Sequence, residues 1–281
     1  MTAATPNATR GLAQFFEGVQ LPTIPDVARE LLATMRDEDI PLEKVRHAIG
    51  RDPALTAKLI RLANSARFGL RRQVNSLDDA IAMAGLNQVR TLAMAACLSG
   101  SFAAVRGVDS QAFWQESMAI AGYAQWLANT TGQDPQQAWL AGFMLRLGEL
   151  VIAQKLPERI DEIERLPHLA GGRWEREQSM LGFTEASVTA ELARRWDFPQ
   201  PIARALETAS APLDAEPFCR LGGLLHLATL LAELALDEHK SSQDAIGALP
   251  PDLVGALQLD PQWLIDHMPE VSSFIDTPVQ A

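Results

Sequence analysis

The apolar positions of the chain recur with a helical period along its whole length, and no stretch of strict alternation is longer than a few residues. Alanine and leucine dominate these positions, while β-branched residues are sparse, which favours helices over strands. The pattern predicts about 12 to 15 helices and no strand. A long apolar helix is expected over about 216–236.

Several helix starts are marked by a capping side chain. Asp52 and Asp134 each place an N-cap residue before a proline at the first helical position. Ser76 resembles the start of a capping box, and Asn87 is predicted to cap the helix that follows. Thr184 is predicted to begin a helix in the second half of the chain.

The predicted fold is all-α and bilobed, with a short helical extension at the C-terminus. A glycine-containing, weakly periodic stretch over 100–109 separates lobes of about 14–105 and 109–212, which together form one domain. Residues 1–13 are predicted to be a flexible N-terminus. Residues 213–281 are predicted to be an acidic helical extension that packs on the second lobe.

The net charge is concentrated at one end of the chain. With 24 basic and 35 acidic side chains the formal charge is −11. Residues 207–281 carry 2 basic and 12 acidic side chains, so nearly all of the excess lies there, whereas residues 1–110 are slightly basic. A charge of this sign argues against a general binder of nucleic acid or of anionic membranes, because both surfaces would repel it.

The sequence also bears on the cellular compartment. The first ten residues contain no apolar segment typical of a signal peptide, and no apolar run approaches the ~18 residues that span a bilayer. Cys97 and Cys219 lie inside apolar helical patterns and are predicted to be buried thiols of a reducing compartment. We therefore expect a cytoplasmic protein without membrane insertion.

Short motifs follow one another in a definite order through both lobes. Those of the first lobe are LPTIP at 21–25, DPAL at 52–55, LANSA at 62–66, Ser76-Leu77 with Ala80-Ile81, and Gly85-Leu86. Those of the second lobe are Trp114 with Ser117, Ala141-Gly142, Gly148-Glu149-Leu150, Gly182-Phe183, and Trp196 with Pro199.

This order and spacing resembles the HDOD domain, the HD-related output domain of bacterial signal transduction, over about residues 21–210. The resemblance implies an HD-like multi-helix bundle. It also implies a non-catalytic output module that acts by binding signalling proteins, among them those of cyclic dinucleotide pathways. No cofactor is expected.

The HD hydrolases, which resemble the second lobe, bind metals through His and Asp side chains that activate a water. The resemblance places their first ligand His at Glu116 and their His-Asp pair at Leu145 and Arg146. Their final Asp falls near Thr229, and a further His of the two-metal relatives falls at Glu185. No metal site and no catalytic residue are therefore predicted.

Arg146 is the most informative of these replacements. A leucine at 145 offers no ligand atom, and an arginine offers only donors with a permanent positive charge. Arg146 would repel a metal ion and could occupy its place, pairing with Glu116 or Glu149. These positions therefore disfavour an active metal-dependent phosphohydrolase, which we keep as an alternative.

The densest positive region of the sequence surrounds the LANSA motif and includes Arg67, Arg71 and Arg72. These arginines either face solvent next to acidic side chains or form a site for an anion or a protein partner. Two roles are open for Asn64, which either stabilises a turn at the end of its helix or binds a partner. A receptor for a small anionic ligand such as a cyclic dinucleotide is a second hypothesis. The signal, the partner and the oligomeric state stay open.

Overall fold

The computed structural model of the chain describes residues 6–35, 42–64, 73–102, 104–166, 169–237 and 239–275. Within these ranges the regular structure is entirely helical, and no strand is present. The all-α prediction is therefore confirmed. Because every helix has an apolar face and no sheet covers it, each helix buries that face against other helices.

Six of the described helices precede the second lobe. They are α1 (Pro6–Phe16), α2 (Asp26–Thr34), α3 (Leu42–Gly50), α4 (Pro53–Ala63), α5 (Leu77–Ala84) and α6 (Leu86–Ser101). Asp52 caps α4 by accepting hydrogen bonds from the backbone amides of Ala54 and Leu55, both at 3.0 Å. Ser76 caps α5 by accepting from the amide of Asp79 at 3.0 Å. Both predicted starts are confirmed.

The prediction for Asn87 is wrong, because α6 begins at Leu86 and Asn87 lies in its first turn. Gly85 between the two helices has φ 87° and ψ 153°, a conformation that glycine adopts without steric strain. The chain therefore passes from α5 into α6 through one residue, and no side chain caps the second helix.

The second lobe is the larger part of the fold. Its helices are α7 (Ser110–Thr131), α8 (Pro135–Met144), α9 (Leu147–Lys155), α10 (Pro157–Arg165), α11 (Gly172–Leu181), α12 (Glu185–Arg195), α13 (Gln200–Thr208) and α14 (Arg220–Ala235). α7 packs against α8 and α14, and α12 packs against α9 and α13. Asp134 and Thr184 cap α8 and α12, as the sequence predicts.

The C-terminal extension forms four short helices, which are α15 (Ser242–Gly247), α16 (Pro251–Leu257), α17 (Pro261–His267) and α18 (Ser272–Ile275). It packs on α7 and α14 of the second lobe. The hydroxyl of Tyr123 on α7 donates to the carbonyl oxygen of Pro269 at 3.1 Å. The rings of Tyr123 and Phe274 lie 4.9 Å apart, and those of Trp126 and Trp263 stack at 6.0 Å.

The two lobes are tied together by contacts from the N-terminal part of the chain. The indole nitrogen of Trp196, after α12, donates to the carbonyl oxygen of Pro22 in the LPTIP segment at 3.2 Å. Helix α1 includes part of the stretch predicted to be flexible. It is held on the second lobe because Phe15 packs on Phe183 at 4.9 Å between ring centroids and accepts, at its carbonyl, a hydrogen bond from Lys155.

Two further expectations can be compared with the described residues. No helix among them combines the length and the apolar character needed to cross a membrane. Cys97 is buried, as predicted, whereas Cys219 is partly exposed because it precedes α14 at the edge of the second lobe.

Candidate functional site

A cluster of buried charged side chains lies where α7, α9, α11 and α12 meet. We call it the buried charge cluster, and its members are Glu116, Arg146, Glu149, Arg173, Glu177 and Glu185. The exposed fraction is at most 8 % for Arg146, Glu149, Arg173, Glu177 and Glu185. Charged side chains are rarely buried to this degree unless they are paired.

Arg146 lies immediately before α9 and directs its guanidinium between carboxylates. Nη1 donates to Oε2 of Glu116 on α7, and Nη2 donates to Oε2 of Glu149 at 2.5 Å. Nε lies 3.9 Å from Oε2 of Glu185. The structure therefore places both of the alternative partners offered by the sequence, Glu116 and Glu149, on the same guanidinium.

Arg173 on α11 forms the second half of the cluster. Its Nε donates to Oε1 of Glu177 at 3.0 Å and lies 3.4 Å from Oε2 of Glu185. Its Nη2 lies 3.6 Å from Oε1 of Glu149, and its Nη1 bonds the half-exposed Glu164. The two arginines therefore share Glu149 and Glu185, which links their ion pairs into one network.

Two guanidinium groups against four carboxylates leave the cluster a formal excess of two negative charges. Burial raises the pKa of the Glu185 carboxyl well above its usual range, although Arg173 acts in the opposite direction. Burial also raises the pKa of Glu177, against the effect of Arg173. Protonation of either carboxyl, which burial favours, would reduce the excess charge.

The pKa of Arg146 is raised even though burial acts to lower it, because the nearby carboxylates of Glu116, Glu149 and Glu185 favour the charged form. Arg146 therefore keeps its charge at every physiological pH. The cluster is held by permanent cations, and only its carboxyls titrate.

The close approach of α9 and α12 brings Arg146 to Glu185. A Cβ atom on Gly148 would lie 2.1 Å from the carbonyl oxygen of Glu185, so only glycine fits there. The hydroxyl of Thr189 on α12 accepts from the amide of Gly148 at 2.7 Å and donates to the carbonyl of Leu145 at 2.8 Å. These bonds fix the turn that carries Arg146.

The other predicted positions of the HD site lie apart from the guanidinium groups. Leu145 is fully buried in the apolar core. Thr229 on α14 is buried, and its hydroxyl donates to the carbonyl of Leu225 within its own helix at 3.0 Å. Sequence reasoning brought Glu116, Arg146 and Glu185 into the site but missed Arg173 and Glu177. Arg173 and Glu177 are four residues apart on α11, and this spacing could have indicated an ion pair on one face of the helix.

Divalent metals do not fit the donor set of this cluster. The carboxylates that would serve as ligands already accept hydrogen bonds from arginine, and two permanent positive charges would repel a cation. Within the described part of the chain, no group of three or more His, Cys, Asp or Glu side chains is arranged to hold a metal ion.

The positive region of the first lobe is described only in part. The amide nitrogen of Asn64 donates to the carbonyl of Val74, and its amide oxygen accepts from the backbone amide of Val74, both at 2.7 Å. Asn64 thus joins the end of α4 to the segment before α5, which supports the turn-stabilising interpretation. Arg67, Arg71 and Arg72 lie outside the described residues.

The model of the HDOD domain matches residues 21–212, and the chain belongs to the HDOD domain family. The match begins at the LPTIP segment and ends before α14, so it covers the first lobe and the second lobe as far as α13. The acidic extension lies outside the match.

Solved structures of similar fold come from several bacteria. A Shewanella amazonensis SB2B protein described as "Putative phosphohydrolase" has a TM-score of 0.77 and 25% identity, covering 97% of this chain and 98% of that one. A Geobacter sulfurreducens HDOD domain protein of unknown function has a TM-score of 0.77 and 21% identity, covering 94% of both chains. The likeness to the second shows the fold alone.

Two relatives are longer than this chain. A signal transduction protein, described as "Putative", from Marinobacter aquaeolei VT8 has a TM-score of 0.76 and 22% identity, covering 98% of this chain and 64% of that one. An uncharacterized protein of Treponema pallidum (strain Nichols) is 25% identical over 197 residues, which are 66% of this chain and 37% of that protein. The chain therefore spans well under half of the Treponema relative.

Proposed function

We propose that this chain is a non-catalytic regulatory module of signal transduction that acts by binding other proteins. The observation that carries the proposal is the guanidinium of Arg146, which is bonded to Glu116 and Glu149. The family resemblance aligns this residue with the His-Asp metal ligands of the HD hydrolases. A site filled by a permanent cation is poorly suited to activating a water through a metal ion. The HDOD family and the similarity to a signal transduction protein support the regulatory role.

An active phosphohydrolase is the competing function, favoured by the fold shared with the Shewanella protein. Metal analysis of the purified chain, together with a phosphodiesterase assay on bis-nitrophenyl phosphate with added Mn²⁺, separates the two. We expect far less than one Mn, Fe or Zn per chain and no hydrolysis above the buffer rate. Stoichiometric metal together with turnover would overturn the non-catalytic assignment.

The protein-binding role is tested by cross-linking and affinity capture in bacterial lysate, with charge reversal of the positive region. We expect the double variant Arg71→Glu, Arg72→Glu to lose a partner that the native chain captures. The matched control is Arg159→Glu, which reverses an exposed arginine of the second lobe whose salt bridge among the described residues is with Glu162 of α10. Equal recovery of every captured protein by both variants and the native chain would count against this surface.

A further inference from the structure

A cleft of about 860 Å³ opens on the side of the second lobe where the C-terminal extension begins. It lies between α11, α14 and the residues that lead into α15 and α16. Pockets for small molecules are typically ~300–1,000 Å³, largely apolar, with a few polar groups that fix the orientation of the ligand. This cleft has that composition, because Leu169, Leu230 and Leu234 line it together with Trp174 and His226.

Trp174 and His226 form an aromatic wall of the cleft. Their ring centroids lie 5.2 Å apart, with a tilt of 42° between the rings. Trp174 is 4% exposed, and its indole nitrogen has no hydrogen-bond partner among the described residues. Flat ring systems pack well against such a wall.

The contact between His226 and the carbonyl of Ala209 shows which ring nitrogen carries the proton. Nδ1 lies 2.8 Å from the carbonyl oxygen of Ala209, which can only accept, so Nδ1 carries the proton. Burial lowers the pKa of His226, which keeps the ring neutral at physiological pH. Nε2 is then an acceptor, and it can receive a hydrogen bond from a ligand.

Among the described residues, the charged side chains that line the cleft are Lys240, in the segment that leads into α15, and Glu175 on α11. Lys240 can attract an anionic group, whereas Glu175 disfavours a second one. A ligand with a single negative charge therefore matches the cleft better than a polyanion does. Because Lys240 belongs to the extension, the extension contributes directly to the site.

We propose that this cleft binds a small aromatic acid: a molecule with a flat ring for Trp174 and the leucines, an N–H or O–H donor for Nε2 of His226, and one anionic group for Lys240. This site lies outside the buried charge cluster. It goes beyond the proposed protein-binding role and does not rest on it. It supplies a place where a metabolite can be sensed by the second lobe and the extension together.

Anilinonaphthalene sulfonate is a suitable probe, because it combines flat aromatic rings, one N–H donor and one sulfonate. Fluorescence titration and calorimetry on the full chain measure its stoichiometry and affinity. We expect one dye molecule per chain, with energy transfer from the tryptophans that Trp174→Phe reduces, because Trp174 is the one of the six that lines the cleft. Raising the salt concentration should weaken binding, because exposed charges are screened.

Three variants make the assignment specific. His226→Asn retains a donor for the carbonyl of Ala209 but has no atom at the Nε2 position, so dye affinity should fall about fivefold. Lys240→Gln should weaken the dye about threefold, as for an exposed charge pair. Lys44→Gln on α3, outside the cleft, removes the same charge as a control and should leave the affinity unchanged.

Any of three results would overturn the assignment. The first is the absence of saturable binding of one dye per chain. The second is an unchanged affinity in Lys240→Gln, which alters an exposed side chain and leaves His226 in place. The third is a loss of affinity in Lys44→Gln equal to that in Lys240→Gln. None of these results affects the partner-capture experiment, so this inference and the proposed function fail separately.

Discussion

Arg146 holds together carboxylates that would repel one another without it. Its guanidinium bonds Glu116 on α7 and Glu149 on α9, and it lies near Glu185 on α12. Burying an ion costs several kcal/mol unless charge pairing and hydrogen bonds offset the cost. Removing one partner of a buried ion pair therefore destabilises a protein by about 3–5 kcal/mol. Arg146 is therefore required for stability if the cluster is to stay buried.

Replacement of this residue tests that requirement. Arg146→Met retains the apolar stem but leaves Glu116 without its cation and Glu149 with Arg173 alone, so the free energy of unfolding should fall by about 3–5 kcal/mol. Urea denaturation followed by circular dichroism measures the change. Arg159→Met, which breaks an exposed pair with Glu162, is the matched control and should cost less than about 1 kcal/mol. Equal losses of unfolding free energy in the two variants would show that burial of the Arg146 ion pairs does not cause the destabilisation.

Asn64 supplies a second test at this scale. Its amide exchanges two hydrogen bonds with the backbone of Val74, so Asn64→Ala should lower the free energy of unfolding by about 1–3 kcal/mol. Asn64→Asp keeps the acceptor but turns a second oxygen toward the carbonyl of Val74, and it should not restore stability. Thermal unfolding of the two variants measures the effect. A stable Asn64→Ala protein would leave partner binding as the better explanation of this residue.

At the scale of helices, the separation of α9 and α12 is set by one glycine. Gly148→Ala places a methyl group against the backbone carbonyl of Glu185, and backbone atoms cannot yield without moving a helix. We expect a loss of about 3 kcal/mol or more, as for overpacking of a rigid core. Denaturation curves measure the loss.

A second glycine provides the control. Gly100 lies in α6, and a Cβ atom there would meet nothing within 4 Å. Gly100→Ala should therefore leave stability unchanged or raise it by up to about 1 kcal/mol, since alanine favours the helix. If Gly148→Ala behaved like Gly100→Ala, the close approach of α9 and α12 would not be needed for the fold.

Helix starts were predicted well from local signals, because capping depends on residues next to each other in the chain. Asp52, Ser76 and Asp134 all cap as the sequence predicts. The exception, Asn87, follows a glycine whose positive φ sends the chain directly into α6. A suitable side chain is therefore not enough to predict an N-cap, since the conformation of the preceding backbone decides whether a cap is needed.

At the scale of the whole molecule, the buried charge cluster makes stability depend on pH. Burial raises the pKa of Glu177 and Glu185 above the unfolded value of about 4.3. Above that pH the folded state binds more protons than the unfolded state. The contribution of these two carboxyls is complete below about pH 4.3 and is lost as the pH rises through their folded pKa.

Glu185→Gln tests this dependence because the amide imitates the protonated carboxyl. The free energy of unfolding, measured from about pH 5 to about pH 8, should decrease less steeply with rising pH in this variant than in the native chain. His226 acts in the opposite direction, because burial lowers its pKa and its contribution is lost as the pH falls. It does so equally in both proteins and cancels in the comparison. Identical slopes would show that Glu185 does not titrate in this range.

The sequence by itself determined the class of fold, the starts of several helices and the family. Through the family resemblance it also predicts that Arg146 stands at a metal-ligand position of the HD hydrolases, and it places most of the acidic excess in the last 75 residues. These features are local patterns or motifs in a fixed order, so they can be read without knowing which helices touch.

Only the tertiary structure decided what surrounds Arg146. Arg173 and Glu177 reach the cluster because side chains of α11 meet Glu149 on α9 and Glu185 on α12, and the cleft exists because the extension returns to α14. The same packing tied α1 to the second lobe through Phe15. Contacts between residues far apart in the chain depend on the three-dimensional arrangement of the helices, and helical periodicity shows which face is buried but not which partner covers it.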